Sequence, residues 1–332
     1  MLLSDVSFNY PYLRITTDVW NIKYVNLWAQ FQDLTQHYNY GHAHDKKWGS
    51  FNYLDWSVTP WLNVGLFEAV IWANADSLGH RGFDINYANP VIFTRPVEFS
   101  VGSPDNALLG LTGKLTLWKN HVIYWQAIID EFKLENVKAG IKHQLNKSDT
   151  TIEWGWASNK WACQIGYKTF DLFGLQHLDI QTEFNIARPF MYSHIDHIAN
   201  YAHYQQPLGH PLGANFKEVV LIGRYNYKRL FLEAKYIHAT HGRDIDGLNY
   251  GNDIFKPYTK PAHEYHNKIG QGEKVILQNT NLKAAFLVNQ RTNCNIYVAF
   301  SRRAEEIKSE KTVNNLITFG IRTSLQNIYY DF

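Results

Sequence analysis

Apolar and polar residues alternate with a period of two along most of this chain, in segments of about ten residues. In 176–187, Leu178, Ile180, Thr182, Phe184 and Ile186 fall on one face, and Asp179, Gln181, Glu183 and Asn185 fall on the other. In 107–118, Leu109, Leu111, Leu115 and Leu117 alternate with Thr112, Lys114 and Thr116. The segments 121–132 (Ile123, Trp125, Ala127, Ile129), 230–239 (Leu230, Leu232, Ala234, Tyr236) and 293–302 (Cys294, Ile296, Val298, Phe300) repeat the pattern. Successive side chains of a strand point to opposite faces, so these read as half-apolar strands rather than helices or strands buried on both faces. The pattern predicts about 14 strands. They cover 20–31, 50–58, 64–73, 107–118, 121–132, 137–145, 151–157, 160–169, 176–187, 216–227, 230–239, 273–288, 293–302 and 313–325.

A period of two suits a β-sandwich as well as a barrel, and three features separate them. Most segments reach the length that a tilted strand needs to cross a bilayer, roughly 9–11 residues, against about 5–6 for an ordinary strand. One parity is nearly pure aliphatic and aromatic while the other carries charge. Connections also alternate between tight turns, at 119–120, 227–229 and 289–292, and long polar loops, at 74–106, 188–215 and 240–272. Counting back from a last strand that ends at Phe332, with 303–311 also outside, puts every long loop on one face. Short periplasmic turns opposite long outer loops are the pattern of an antiparallel outer-membrane β-barrel. The prediction is therefore all-β: a single transmembrane barrel domain over 1–332, located in the outer membrane with its lipid as a partner.

Composition supports this reading. The chain has 332 residues, 45% apolar and 19% charged, with 21 Tyr, 19 Phe and 11 Trp. Aromatic residues favour strands and gather at membrane interfaces. The net charge of +2, spread along the chain, gives no basic stripe and argues against nucleic acid as a partner. No apolar run is long enough for a transmembrane helix, and Met1-Leu2-Leu3-Ser4-Asp5 has no signal-peptide character. Cys163 and Cys294 lie far apart on the apolar parity and fit no metal spacing.

Candidate chemistry is sparse, with no nucleophile elbow, phosphate loop or zinc signature. His194, His197, His203 and His210 share one loop, and Asp244, Asp246, Asn249, Asn252 and Asp253 share another. Neither set has the spacing of a metal site, so no metal or cofactor is expected. The lumen parity is read as carrying Glu68, Lys114, Asp130, Asp179, Glu183, Glu218, Arg224, Glu233 and Lys235. Paired carboxylates can hydrolyse glycosides, but opposite charges on neighbouring strands usually pair, so binding of a polar polymer is preferred to catalysis. Segment 83–106 is too apolar for a simple loop and contains Pro90 and Pro96. It is expected to fold inward or cap the barrel, with Arg95 and Glu98 in buried polar contacts. Arg95, Glu98, Asp130, Glu131, Glu183, Arg188 and Glu218 form the expected inner polar network.

Several short motifs occur in a fixed order. They are Gly65-Leu66-Phe67-Glu68, Asn89-Pro90 with Arg95-Pro96-Val97-Glu98, Gly102-Ser103 with Asp105-Asn106, and Ile129-Asp130-Glu131-Phe132. Ala157-Ser158-Asn159-Lys160, Glu183-Phe184-Asn185, Ala187-Arg188-Pro189-Phe190, Tyr192-Ser193-His194, and His210 through Phe216 with Glu218 follow. As a set they resemble the Wzi-like capsule-assembly barrels, most closely the RemB-type proteins of gliding bacteria. The resemblance implies a non-enzymatic barrel tied to surface polysaccharide attachment or to gliding motility, with polysaccharide or motility-machinery proteins as partners. A passive pore, or less readily a β-rich hydrolase, is the competing reading. Family barrels begin with a signal peptide and reach about 18 strands. The resemblance thus implies that N-terminal strands are missing here and that the barrel has an open seam.

Overall fold

The computed structural model describes residues 1–34, 44–76, 79–90, 105–131, 133–146 and 153–323. Its frame is one 13-stranded antiparallel sheet in which each strand pairs with its neighbour in sequence. The strands are β1 (Tyr12–Val19), β2 (Ile22–Asp33), β3 (Asp45–Thr59), β4 (Leu62–Ala73), β5 (Asn106–Leu117), β6 (His121–Ile129) and β7 (Trp161–Thr169). They continue with β8 (Leu178–Ala187), β9 (Phe216–Tyr227), β10 (Leu230–Arg243), β11 (Glu273–Asn289), β12 (Cys294–Ile307) and β13 (Glu310–Arg322). β1 and β13 end the ladder, and among the described residues no pairing joins them.

The register fixes the two faces of this wall. Ala187 stands opposite both Ala162 and Phe216, and Phe216 opposite His241, so these side chains share the inner face. On the other face Phe184, Val219, Leu221, Leu230, Leu232, Leu282, Phe286, Ile296, Val298, Ile317, Phe319 and Ile321 stand exposed. Such a continuous aliphatic surface is stable against lipid, not against water. At the turn end, Trp20, Trp56, Trp61, Trp118, Phe170, Phe173 and Tyr227 are also exposed. That ring of aromatics matches the girdle where a barrel wall meets the headgroups.

Two predicted strands are corrected. Segment 137–145 belongs to helix α1 (Leu134–Leu145), with Glu135 in its first turn and Lys142 and His143 in its last, charges that suit the helix dipole. Leu134, Val137, Ile141 and Leu145 also keep helical spacing, and a short apolar run fits both periods. Segment 151–157 forms no strand over its described residues 153–157. Instead Ala157 N donates to Glu264 O and His266 N to Trp154 O. Strand β1 was not predicted, and the expected outer loop at 303–311 is a tight turn between Ile307 and Glu310. Phe332 lies outside the described residues.

The lumen is filled on the loop side. Residues 188–215 leave β8 and fold back inside, placing Met191, Tyr192, Tyr201, Ala202, Leu208 and Ala214 against Phe31, Phe51, Phe67, Ile128 and Ala162 of the wall. The first residues join them: Tyr192 Oη donates to Met1 O and Tyr201 Oη to Leu2 O, at 2.9 and 2.7 Å. Ile254 brings loop 244–272 into the same core.

The described part of segment 83–106 does not fold inward. Residues 81–90 lie on the outer face of β2–β4, the face opposite the plug. Trp28 Nε1 and Ser50 Oγ both donate to Tyr87 O, and Tyr24 Oη and Asn26 Nδ2 to Pro90 O. This strap covers Asn26, Ser50, Asn52 and Glu68, all buried; Asn52 Nδ2 donates to Glu68 Oε2 at 3.3 Å. Glu68 is therefore not a lumen residue, since its register partner Leu109 points away from the plug. Arg81 anchors the strap through Asp84 and Asp105, each at 2.7 Å, and Tyr87 Oη donates to Asp105 at 2.6 Å. Residues 91–104, including Arg95 and Glu98, lie outside the described residues.

Candidate functional site

The remaining sequence-predicted residues fall into three places rather than one network. The first is an ionic knot at the loop-side mouth, where β6 ends and β7 begins. Antiparallel pairing of Ile129 with Trp161 brings Asp130 and Glu131 beside Lys160. Lys160 Nζ lies 2.9 Å from Asp130 Oδ2 and 3.5 Å from Glu131 Oε1, with the Lys160 and Asp130 side chains 0% and 1% exposed. The same ammonium donates to Ser193 O at 2.9 Å and sits 4.3 Å from the centre of the Tyr258 ring. Tyr258 Oη donates to Glu131 at 2.7 Å. One buried cation thus ties the wall to both inward loops, 188–215 and 244–272. Charges taken out of water need this many partners to be tolerated.

His194 borders the knot. Burial, and then the neighbouring Lys160 ammonium, pushes its imidazole down to about 4, so it is neutral near pH 7. Burial, with Glu131 second, holds the Tyr258 phenol well above its usual range.

The second place is a polar chain across the lumen wall. Tyr124 Oη donates to Glu183 at 2.5 Å, Asn185 Nδ2 bridges Glu183 and Glu218 at 2.9 and 2.8 Å, and His210 Nε2 lies 3.0 Å from Glu218 Oε2. His210 comes from the plug loop and stacks on Phe216, with ring centres 4.3 Å apart. The third is Arg188, just beyond β8, whose guanidinium donates to the carbonyls of Trp156 and Asn267, at 3.5 and 3.4 Å. Burial lowers it to about 10.

Asp130, Glu131, Glu183 and Glu218 are engaged by partners in the wall and the plug, whereas Asp244 and Asp253, which line an open cleft at the mouth, share the Lys256 ammonium at 2.5 and 3.9 Å. No group of three or more potential metal ligands occurs among the described residues. The histidines of the plug loop are dispersed: His203 accepts from Gln32 N, His210 meets Glu218, and His194 borders the knot. Lys160 was not among the predicted residues, nor was Lys47, a buried inner-face lysine that donates to Asn200 O and Oδ1 at 2.9 and 2.6 Å.

Two surfaces remain open at the mouth. A cleft of about 440 Å³ runs between the two inward loops and is lined by Arg243, Asp244, Asn252, Asp253, Phe255 and Lys256 among others. Separately, beyond the loop-side ends of β6 and β7, Trp154 and Trp156 are half-buried; Trp154 stacks on His143 at 4.5 Å and Lys133 sits 4.6 Å over Trp156.

No family model matches the chain, and no curated protein matches it significantly. Solved structures do. Wzi of Escherichia coli, described as an outer-membrane protein of group 1 capsule assembly and a carbohydrate-binding β-barrel, matches with a TM-score of 0.54 at 13% identity, over 90% of this chain and 55% of that one. OprD of Pseudomonas aeruginosa matches with a TM-score of 0.42 at 12% identity, over 95% and 70%. The chain thus spans about half the length of Wzi. The fold is that of an outer-membrane β-barrel, and the exposed aliphatic band places it in that membrane. Within that class the likeness supports a Wzi-like fold; a closer tie to RemB-type proteins is not supported.

Proposed function

We propose that this protein is a non-enzymatic outer-membrane barrel that holds surface polysaccharide at its loop-side mouth. The observation that carries the reading is the filled lumen. A passive pore needs a water-filled path, and here the inner face of β2–β9 is packed against residues 188–215 and tied to them through Lys160 and Glu218. What the plug offers outward is a shallow polar cleft with an aromatic floor at Phe255; indole faces stand separately beyond the loop-side ends of β6 and β7. Carboxylate, amide and guanidinium groups beside aromatic rings suit a ligand rich in hydroxyls with apolar ring faces. Wzi, described as a carbohydrate-binding β-barrel, agrees in kind.

The test is deletion of the gene, followed by capsule staining and a spreading assay on agar. Loss of surface-held polysaccharide with normal spreading is expected, with complementation failing for a chain carrying Asn252→Ala and Asp253→Ala. Normal staining with lost spreading overturns the proposal in favour of a motility role. Large steady conductance of the purified protein in planar bilayers overturns it in favour of a pore.

A further inference from the structure

The opposite end of the lumen has a different character. Between the turn-side ends of β9–β13 lies a cavity of about 380 Å³ lined by Lys228, Arg229, Lys283, Arg322, Asn295 and Tyr297 among others. Four of its lining residues are cations, and none is a carboxylate. Three cations further along the same strands and turns do have acid partners: Arg224 with Glu233 at 2.8 Å, Arg243 with Glu305 at 2.6 Å, Lys308 with Glu273 at 2.8 Å. Lys283 stands opposite Glu233 in the register, but that carboxylate is engaged by Arg224. Among the described residues, none of the four cations makes an ion pair. Lys283 instead sits 5.2 Å from the centre of the Tyr297 ring.

Unpaired like charges sharing one concavity repel one another, and an anion removes that cost. The lining also limits which anion. Phe231, Lys283, Ala285, Asn295 and Tyr297 share the lumen parity, while Ile296 and Val298 point to the lipid side. Lys283 and Arg322 thus stand on the lumen side of the wall, and Lys228 and Arg229 edge the same cavity from the β9–β10 turn, which offers the strand-borne cations to a solute inside the lumen. Amides at Asn226, Asn293 and Asn295 and the phenol of Tyr297 supply hydrogen-bonding groups suited to hydroxyls beside the charge.

We infer that this turn-side vestibule is a second binding site, which takes the carboxylate or phosphate groups of an acidic polysaccharide. The inference rests on the proposed polysaccharide-holding role and adds its substrate class: the polymer is anionic, and because the plug separates the two ends of the lumen, the mouth and the vestibule each meet it from their own side. The mouth then holds the chain by hydroxyl and ring contacts, while the vestibule selects for charge.

The test uses the full chain in lipid nanodiscs with polygalacturonate as the acidic probe and dextran as the neutral one. A variant carrying Lys228→Gln, Arg229→Gln, Lys283→Gln and Arg322→Gln is compared with the mouth variant Asn252→Ala/Asp253→Ala. Lys228, Arg229 and Arg322 are exposed and Lys283 is half-buried, and unchanged heat-modifiable gel mobility verifies the barrel. Exposed charge contacts contribute about 1.5–5-fold each. The fourfold variant is expected to bind polygalacturonate at least about fivefold more weakly at low salt, with the difference shrinking as salt rises. Unchanged affinity overturns the inference, as does equal affinity of the native chain for dextran. Loss confined to vesicles containing phosphatidylglycerol also overturns it, making the cations headgroup contacts. If only the mouth variant loses polygalacturonate, the mouth reading stands and the vestibule falls. If only the vestibule variant does, the mouth reading falls instead.

Discussion

Replacing Lys160 with methionine tests whether the ionic knot holds the plug. The substitution keeps the length and apolar bulk of the stem and removes the ammonium. Asp130, 1% exposed and 2.9 Å from that nitrogen, is then left buried without its cation, and Ser193 O loses its donor. Breaking a buried pair in this way costs about 3–5 kcal/mol. The strand ladders of the wall do not depend on Lys160 beyond its place at the start of β7, so the cost falls on the docked loops. At 1.4 kcal/mol per tenfold, the population with 188–215 and 244–272 released rises roughly a hundred- to several-thousand-fold. Limited proteolysis read by mass spectrometry measures it, because cleavage through a fast local opening tracks the open population. Cuts within 188–215 and 244–272 are expected to accelerate by that factor while the wall stays protected. Lys160→Met combined with Asp130→Leu should recover most of the protection, since replacing both members of a buried pair with apolar groups costs little. Native-like protection in the single variant, or no recovery in the double one, refutes the reasoning.

Three further outcomes follow from the same geometry. His194 takes up a proton at about 4 in the docked loop and near 6.5 when released, so its contribution to docking is complete above pH 6.5 and falls as pH drops from 6.5 toward 4. The gap amounts to about 3 kcal/mol, seen as lower amide protection factors (rates corrected for intrinsic exchange) over 190–203 at pH 4.5 than at 7.5; an equal pH slope in His194→Gln would sink this assignment. Tyr87→Phe removes the 2.6 Å donation to Asp105 and should loosen the strap by about 1–2 kcal/mol, measured as roughly tenfold faster exchange over 81–90 with 188–215 unchanged. Gly242→Ala would place a Cβ 1.7 Å from Gln271 O, so the loop must shift and Asn215 must lose its shared contacts there. A loss of about 1–3 kcal/mol in thermal unfolding is expected, and native-like melting would show that the loop yields freely.

The wall was legible because every strand separates two solvents of opposite character, and a period of two records that directly. β1 carried the same signal, with Leu13, Ile15, Thr17 and Val19 alternating with Arg14, Thr16 and Asp18. Helix α1 was lost because its twelve residues satisfy both periods. The knot was half legible: Asp130 and Glu131 were identified, but Lys160 was not. Its signal is topological, since a cation that opens one strand lies beside an acid pair that closes the preceding antiparallel strand.

Glu68 carries the more general lesson. Its charge suggested the lumen, yet period two puts it with Val64, Leu66, Val70 and Trp72, on the lipid parity. The parity was right and the chemistry misled. A carboxylate on that face at 0% exposure, hydrogen-bonded by Asn52, requires a cover of its own. The strap supplies one, with backbone carbonyls at Tyr87 and Pro90 serving the neighbouring Trp28, Ser50, Tyr24 and Asn26. A polar side chain out of place in an otherwise apolar strand face is thus a sequence signal for a segment that docks on the outside of a barrel. Loop length could not have revealed this strap, because it counts loop residues without saying which face a loop covers; the exception to the alternation at Glu68 could.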